Sequence, residues 1–400
     1  MKILVVSQYY CPEPFRISDI CEEMVKRGHD VTVLTGIPNY PEGKIYNDYK
    51  RGKKRNEIIN GVKVRRCFTI GRRTGILYRF LNYYSYAISS TINVVLNRCK
   101  PETGGKFDII FVNQLSPVMM AYAGMVYKKI NHKKIILYCL DLWPESLVAG
   151  GIKRKSFIYT LFHRISKHIY ESCDKILVTS RMFQNYISNE FGINKKNIIY
   201  LPQYAEDLFD TIKNKSERKE NLDLVFAGNI GEVQNVETII EAAEILKDEK
   251  IKVHIIGSGS DLERCKRITK NKKLDNVIFY GRRPVTEMPL FYSLADAMLI
   301  TLVADPTLSL TLPGKVQSYM AAGKPIIGAI NGEANTVIDE AMCGFVGKAE
   351  SAKELAGNIK KFMLLDDYEK NLLGKNAKKY YKENFSKDIF IKRIEEIFKI

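Results

Sequence analysis

The sequence lacks the short motifs that identify several enzyme classes. Its eight cysteines include no CxxC pair and form no cluster with the five histidines, so we expect free thiols, a reducing compartment and no structural zinc. GxxxxGK[ST], HExxH and GxSxG are absent, and no strand is followed by a complete GxGxxG. The sequence therefore does not support a P-loop nucleotidase, a zinc protease or a serine hydrolase, and it gives little support to a dehydrogenase.

Long apolar runs are also scarce. The opening "MKILVVSQYY" is too short for the core of a signal peptide and is more typical of a first buried strand. Residues 80–97 carry no charge, but three Asn and four Ser or Thr interrupt them, which argues against a transmembrane span. An amphipathic helix at a membrane surface fits this stretch and the similar residues 150–170, and an ordinary core-facing helix fits both as well.

Basic residues are concentrated in the first half of the chain. Residues 1–205 hold 32 Lys and Arg against 15 Asp and Glu, while residues 206–400 hold 30 of each, so the whole net charge of +17 lies in the first half. Nucleic acid, an anionic membrane or an anionic substrate would explain this asymmetry, and so would a basic surface without a partner. The basic and aromatic residues 38–57 lack a surrounding nucleic-acid module, so we expect a mobile loop there and no nucleic-acid partner.

The alternation of strands and helices predicts two domains. With 46% hydrophobic residues, 400 residues suffice for two full cores. In both halves buried strands alternate with helices, which predicts an α/β fold of two Rossmann-like, parallel-sheet domains facing across a cleft. We expect domains over residues 1–205 and 206–385, divided near a polar segment at 210–223, and a last helix over 386–400 that returns to the first domain.

Two glycine-containing turns predict an anion site in the second domain. Gly228 and Gly231 stand where a strand gives way to a helix, and such glycines let a ligand approach unpaired N–H groups. Pro313 and Gly314 open another helix, and Lys315 in its first turn opposes the helix dipole, a local cost that is easier to understand if an anion binds beside it. A plain strand–helix turn and a solvent-exposed lysine are the alternative interpretations.

Three chemically distinctive residues follow a strand of the first domain. "LDLWPES" places Asp141, Trp143 and Glu145 directly after a buried strand. Carboxylates at the carboxyl end of such a strand face the ligand, so either acid suits the orientation or deprotonation of a hydroxyl. Alternatively, Asp141 caps the next helix.

Together these stretches resemble a family 4 retaining glycosyltransferase of GT-B architecture, over nearly the whole chain. The resemblance is most specific at "GHDVTVLTGIPNYPEG", "DLWPES", "GNIGEVQNVETIIEAA" and "MAAGKPII". It is similar to the bacterial O-antigen and capsule branch, and particularly to N-acetyl-L-fucosamine transferases. The resemblance implies that the second domain binds a nucleotide sugar, that the first binds the acceptor, and that no metal or other cofactor is required.

The sequence departs from that family where its charged contacts usually lie. Asn229 and Gln234 occupy the places of a frequent Arg and Lys. Residues 312–325 contain no Asp or Glu, and Ser318 stands where a Glu is common. The diphosphate charge would then be met by Lys315, by helix N-termini and by Arg16, and the family's usual ribose and sugar contacts are not carried over.

The resemblance implies transfer of a 6-deoxy-N-acetylhexosamine from a UDP-sugar to a polyprenyl-diphosphate-linked saccharide, by a cytoplasmic protein at the inner face of the cell membrane. A UDP-sugar 2-epimerase of the same fold and a catalytically silent assembly scaffold are the alternatives. We expect Asp141 and Lys315 to be catalytic. The expected donor-binding residues are Gly228, Asn229, Gly231, Gln234, Arg283, Pro313, Gly314, Lys315 and Ser318, and the expected acceptor-binding residues are Arg16, Asn113, Asp141, Trp143 and Glu145.

Overall fold

The computed structural model describes residues 1–73, 75–149, 151–212 and 220–399. The chain divides into two compact units, Met1–Leu201 with Arg393–Ile400, and Pro202–Lys392. Residues 213–219 of the polar segment expected between the domains lie outside the described residues. So do Gly150 in the second amphipathic stretch and Ile400 at the end of the last predicted helix.

The first unit is built on an eight-stranded sheet. Its strands are β1 (Lys2–Val6), β2 (Asp30–Thr35), β3 (Asn56–Ile59), β4 (Val62–Arg66), β5 (Ile109–Gln114), β6 (Lys134–Cys139), β7 (Lys175–Val178) and β8 (Ile198–Tyr200). The order across the sheet is β3-β4-β2-β1-β5-β6-β7-β8, and every neighbouring pair is parallel except β3 and β4. The central strands are buried runs of Val, Ile and Leu, as a sheet covered on both faces requires.

Helices connect several of these strands. They are α1 (Ile17–Lys26), α2 (Ile76–Val95), α3 (Tyr122–Asn131), α4 (Glu145–Ala149), α5 (Phe157–Ser172) and α6 (Arg181–Phe191). A 3₁₀ turn, Val118–Ala121, leads into α3 and contacts both α2 and α5.

The second unit is a smaller α/β layer structure with a six-stranded parallel sheet. Its strands are β9 (Leu222–Ala227), β10 (Ile251–Ile256), β11 (Val277–Gly281), β12 (Ala297–Thr301), β13 (Ile326–Ala329) and β14 (Gly344–Gly347), in the order β11-β10-β9-β12-β13-β14. Its core lies between this sheet and two helices, α7 (Val236–Ile245) and α12 (Ala352–Leu364). The other helices are α8 (Leu262–Asn271), α9 (Met288–Leu294), α10 (Gly314–Ala321), α11 (Glu333–Glu340), α13 (Asp367–Asn384) and α14 (Lys387–Phe398).

The end of α14 belongs to the first unit. Glu395 accepts a hydrogen bond from Arg27 Nη1 (3.3 Å) and lies 3.1 Å from His29 Nε2, and the ring of Phe398 packs edge-on against Phe111 of β5. The two parallel sheets, each with helical connections, confirm the predicted α/β fold class.

Candidate active site

Several of the residues predicted to bind the donor lie at the carboxyl end of β9. At Gly228 the chain turns with a φ of +144°, which residues with a side chain rarely adopt. A Cβ at Gly228 would overlap the Cε of Lys315. Glycine at this position therefore makes room for the lysine side chain against the end of the strand.

Lys315 is a cation held against an aromatic ring. Its Nζ lies 3.8 Å from the ring centroid of Phe226, the penultimate residue of β9. Burial lowers the pKa of Lys315 to about 7, and no carboxylate of the described residues forms an ion pair with it. When it is protonated, this lysine lacks the counter-charge that a bound anion would supply.

A buried tyrosine fixes the helix that carries Lys315. The hydroxyl of Tyr319 accepts a hydrogen bond from the Ala227 amide (3.3 Å) and lies 3.3 Å from the carbonyl oxygens of Ala227 and Leu299. These contacts tie α10 to the end of β9 and to the middle of β12. The position of the helix that carries Lys315 is therefore fixed relative to the sheet.

The opening of α10 is exposed, as an anion site requires. Pro313 precedes the helix with an extended backbone, and Gly314 is exposed at its start. The hydroxyl of Ser318 donates to the Gly314 carbonyl (3.2 Å). Ser318, at a position where the family often has a glutamate, thus donates its hydroxyl hydrogen bond within its own helix.

Asn229 and Gln234 bind each other. The Asn229 Nδ2 donates to Gln234 Oε1 (2.8 Å), which also accepts the Gly231 amide (3.2 Å). The Gln234 carbonyl accepts a hydrogen bond from Thr301 Oγ1 (2.6 Å), at the end of β12. The two amide side chains therefore stabilise the turn after β9 and supply no charge to it.

Arg283 lies apart from this group. It follows β11 at the edge of the sheet, where its Nε donates to the Tyr280 carbonyl (3.2 Å) and its Nη1 lies 3.9 Å from Glu287. No hydrogen bond links it to the residues around Lys315 within the described part of the chain. The structure thus brings together Gly228, Lys315 and the Asn229–Gln234 pair, and it leaves Arg283 two strands away.

Sequence reasoning missed Phe226 and Gln317. Phe226 supplies the ring under Lys315. Gln317 is 2% exposed, and its Oε1 has no hydrogen-bond partner among the described residues. For Gln317, the only available signal was its position two residues after Lys315. Phe226 cannot be distinguished in the sequence from an ordinary core residue.

In the first unit, Asp141 lies just beyond the carboxyl end of β6 and is partly exposed. Burial raises the pKa of its carboxyl group, while Ser116 and the charge of Arg72 act in the opposite direction. Gln114 Nε2 donates to the backbone carbonyl of Asp141 (2.9 Å). Gln114 thus fixes the backbone of Asp141 at the strand end, and Ser116 interacts with its carboxyl group.

Trp143 and Glu145 point into the protein. Trp143 is 2% exposed, and its Nε1 donates to the hydroxyl of Ser116 (2.9 Å). Glu145 is 1% exposed and accepts hydrogen bonds from Arg154 Nη2 (2.6 Å), Tyr159 (2.8 Å) and Tyr186 (2.7 Å). Trp143 therefore supports Ser116 beside Asp141, and Glu145 joins α4 to α5 and α6. Neither side chain has exposed surface in this structure with which to make its predicted contact with an acceptor.

Asn113 and Arg16 occupy different surroundings. Asn113 is buried at the end of β5, where its Nδ2 donates to Ser7 Oγ (3.2 Å) just after β1. Arg16 directly precedes α1 and is partly exposed. Asn113 thus braces two strand ends, and Arg16 stays accessible.

A buried acid that sequence reasoning missed connects two loops at these strand ends. Glu13 accepts the backbone amides of Tyr10 (3.3 Å), Asn39 (2.8 Å) and Tyr40 (2.7 Å). Burial raises the pKa of its carboxyl group to about 7. The loop after β1 is thereby fixed to the loop after β2. An acid flanked by prolines in "CPEP" was the available signal.

The outer side of α2 is apolar. Exposed side chains recur every three or four residues along it, at Leu77, Leu81, Tyr84, Ile88, Ile92 and Val95, and we call them the α2 stripe. The opposite side, with Tyr86 and Ser90, is buried, so α2 has both a core-facing side and an apolar exposed side. No helix among the described residues is long and apolar enough to cross a membrane.

The start of α5 also exposes apolar side chains. Phe157, Ile158 and Leu161 are exposed there, shortly after Lys153, Arg154 and Lys155. The rings of Phe80 and Phe162, with centroids 6.0 Å apart, join α2 to α5.

Comparison with known proteins agrees with this organisation. Residues 16–203 match the model described as Glycosyltransferase Family 4, and residues 209–380 match that of Glycosyl transferases group 1. The Escherichia coli protein WcaI, named as a glycosyl transferase of colanic acid biosynthesis, is 26% identical over 393 residues, covering 91% of this chain and 93% of WcaI. WbjE of Pseudomonas aeruginosa, named as a glycosyltransferase, is 27% identical over 271 residues, covering 65% and 66% of the two chains.

Solved structures share the fold at low sequence identity. Sucrose-phosphate synthase from Thermosynechococcus elongatus has a TM-score of 0.76 at 14% identity, covering 100% of this chain and 98% of that one. Anabaena HepE, solved in complex with UDP-glucose, has a TM-score of 0.69 at 14% identity, covering 100% and 99%. These similarities and the two parallel sheets show the GT-B fold.

Proposed function

Because this chain is a GT-B glycosyltransferase whose two halves match the family 4 and group 1 models, we propose that it transfers a sugar from a UDP-sugar to a lipid-linked saccharide. The proposed sugar is a 6-deoxy-N-acetylhexosamine such as N-acetyl-L-fucosamine. The choice of sugar rests on the resemblance of the four stretches quoted above. Surface polysaccharide synthesis is the proposed setting, supported by the name of WcaI.

The observation that carries the donor proposal is the position of Lys315. A lysine held over Phe226, with no carboxylate partner in the described part of the chain and beside the exposed start of α10, suits a diphosphate. HepE, of the same fold, has been solved with UDP-glucose, which supports UDP as the nucleotide. Lys315 and the amides near Gly314 and Gly231 would stabilise the negative charge on the departing UDP.

Asp141 is the proposed group on the acceptor side. It would position the acceptor hydroxyl or take its proton as the oxygen bonds to the anomeric carbon and the bond to UDP breaks. Burial raises the pKa of this carboxyl group, which moves it toward the range useful for a base at neutral pH. The family resemblance implies retention of the anomeric configuration and independence from metal ions. Turnover unchanged by EDTA would support the independence from metal ions.

The protein is proposed to work at the inner face of the cell membrane. The α2 stripe, the exposed start of α5 and the excess of basic residues in the first half together suit an anionic membrane surface. A lipid-linked acceptor would be reached most readily from such a position.

A donor screen tests the proposed reaction. Purified protein is incubated with UDP-sugars and a lipid-linked GlcNAc acceptor, and the products are identified by mass. We expect one added deoxy-N-acetylhexosamine, strongly reduced addition with Lys315→Gln, and reduced addition with Asp141→Asn. A donor isomer formed without any acceptor would instead support the epimerase, and full turnover by Lys315→Gln would overturn the leaving-group role.

A further inference from the structure

A basic groove runs between α3 and α5 in the first unit. It lies at the amino ends of the strands, whereas Asp141 follows the carboxyl end of β6. The open cavity has a volume of about 820 Å³, within the usual range of ligand pockets. Its rim follows the ends of both helices and the start of β6, at the amino ends of the strands. The lining residues are Tyr122, Met125, Val126, Lys128, Lys129, His132, Lys133, Lys134, His168, Glu171, Ser172 and Asp174, and we call this cavity the α3–α5 groove.

Positive charge dominates the rim of this groove. Four lysines and two histidines face two carboxylates. Asp174 is already engaged, because its Oδ2 accepts both Lys128 Nζ (2.7 Å) and the Ile135 amide (2.7 Å). Glu171 lies 3.8 Å from Lys167, outside the lining. The acids of the groove therefore leave much of its positive charge uncompensated.

Two of the four lysines differ from Lys128 in their contacts within the described part of the chain. Lys128, near the end of α3, donates to the carbonyl of Ser172, the last residue of the neighbouring helix α5 (3.0 Å). Lys129 and Lys133 make no hydrogen bond or ion pair with any described residue. Both side chains line the cavity and are available to an anion.

The rest of the lining is apolar and leads toward the α2 stripe. Tyr122, Met125 and Val126 form one wall along α3. The helix that carries this wall, α3, packs against α2, which bears the stripe. The groove thus combines cations near the end of α3 with an apolar wall on a helix next to the stripe.

We propose that the α3–α5 groove binds the phosphate headgroup of an anionic phospholipid. Lys129 and Lys133 would contact the phosphate, and the acyl chains would leave past Tyr122 toward the α2 stripe. Charge complementarity favours an anion, and the continuous apolar wall favours an amphiphile over a free phosphate. This inference rests on the proposed membrane association and gives it a specific site.

Charge reversal with a matched control tests the proposal. Lys129→Glu/Lys133→Glu alters one lysine in the last turn of α3 and one just after that helix. Lys270→Glu/Lys273→Glu makes the same changes at the end of α8 in the second unit. Both double variants lower the net charge equally. Binding of the full chain to vesicles of phosphatidylcholine with phosphatidylglycerol, and of phosphatidylcholine alone, is measured by co-sedimentation without donor or acceptor.

We expect wild type to bind the anionic vesicles only, the groove variant to bind at least tenfold more weakly, and the control variant to stay within twofold of wild type. Equal losses in both variants, or no loss in the groove variant, would overturn the groove while leaving membrane association standing. Absence of wild-type binding would overturn both. Thermal unfolding of each variant checks that the fold is retained, and the transferase reaction with a detergent-dispersed acceptor is scored separately.

Discussion

Lys315 has an unusually large share of the proposed donor chemistry because its neighbours are neutral. Asn229 and Gln234 hydrogen-bond to each other, so the turn after β9 carries no cation of its own. Lys315 meanwhile lies over Phe226, where burial lowers its pKa to about 7. Its charge, and with it the attraction for a diphosphate, therefore changes across the neutral range.

Donor binding should weaken as pH rises through 7. The ammonium is charged below its pKa and neutral above it, so we expect the affinity for UDP-GlcNAc to fall by up to about tenfold per pH unit above neutrality. The experiment uses a nucleotide sugar instead of UDP, because the terminal phosphate of UDP itself titrates near pH 6, like other phosphate monoesters. Calorimetry from pH 6 to 8.5 measures the effect.

The control for this experiment is Lys315→Met, which removes the titrating group. Its affinity should be low and nearly constant over the same pH range. A slope in Lys315→Met equal to that of wild type would assign the titration to another group.

Glu145 has a structural role that can be measured by stability. Its buried carboxylate accepts hydrogen bonds from Arg154, Tyr159 and Tyr186. We expect Glu145→Ala to lower the free energy of unfolding by about 2–4 kcal/mol, because two tyrosine hydroxyls lose their acceptor. Urea unfolding measures the change. The surface pair of His163 and Glu190 provides the control, and Glu190→Ala should change stability by less than about 1 kcal/mol.

The sign of the pH dependence follows from the same contacts. Hydrogen bonds from Tyr186, Tyr159 and Arg154 hold the pKa of Glu145 below its usual value, despite burial. A lowered carboxylate pKa contributes stability above the unfolded-state pKa, and this is lost as pH falls through the folded-state pKa. The difference between wild type and Glu145→Ala should therefore shrink in acid, and a difference that grew instead would contradict this account.

At the scale of elements, α2 has the features of both a core-facing helix and a surface helix. Tyr86 and Ser90 are buried against the sheet side, while the α2 stripe is exposed. The sequence predicts either a core-facing helix or a surface helix, and both descriptions apply to different sides of α2. Periodicity alone does not separate them, because Tyr, Ile and Val occur on both sides.

Charged substitutions in the α2 stripe should weaken vesicle binding. Each isoleucine that leaves water for the interface contributes about 1.5–3 kcal/mol at most, so Ile88→Asp/Ile92→Asp should reduce binding to anionic vesicles by tenfold or more. Co-sedimentation at low salt measures this, and wild-type binding should decline at high salt. The control is Ile245→Asp/Leu364→Asp, which alters two exposed apolar residues of the second unit. An equal loss in both variants would exclude the stripe as the contact.

The antiparallel hairpin of β3 and β4 shows which structural signals local sequence contains and which it lacks. Asn60 and Gly61 connect the two strands with positive φ angles, and Asn-Gly between apolar residues is a strong hairpin signal. The signal is hard to recognise in the sequence because β3 has only four residues beside a strongly basic segment. The short strands β8 and β14 also lack a pattern long enough to distinguish them from loops.

At the scale of the whole molecule, the sequence predicts the fold better than the site. Buried strands separated by helices repeat twice, and local pattern suffices for two parallel sheets. Site geometry depends on residues that are distant in sequence. Tyr159 and Tyr186 lie 14 and 41 residues from Glu145, and they turn a predicted acceptor contact into a buried junction. Phe226 and Lys315 likewise meet only after the second unit folds.

Donor protection should map to the second unit if Lys315 and the turn after β9 hold the nucleotide sugar. Hydrogen exchange with and without UDP-GlcNAc should slow at Gly228–Gly231 and in the first turn of α10, whose amides are proposed to face the diphosphate. At 100 times Kd, ligand linkage adds about 2.7 kcal/mol to the stability of the binding unit. Lys315→Met should lose most of this protection at the same donor concentration. Protection confined to residues 1–201 would contradict the assignment and would place the nucleotide sugar with the first unit.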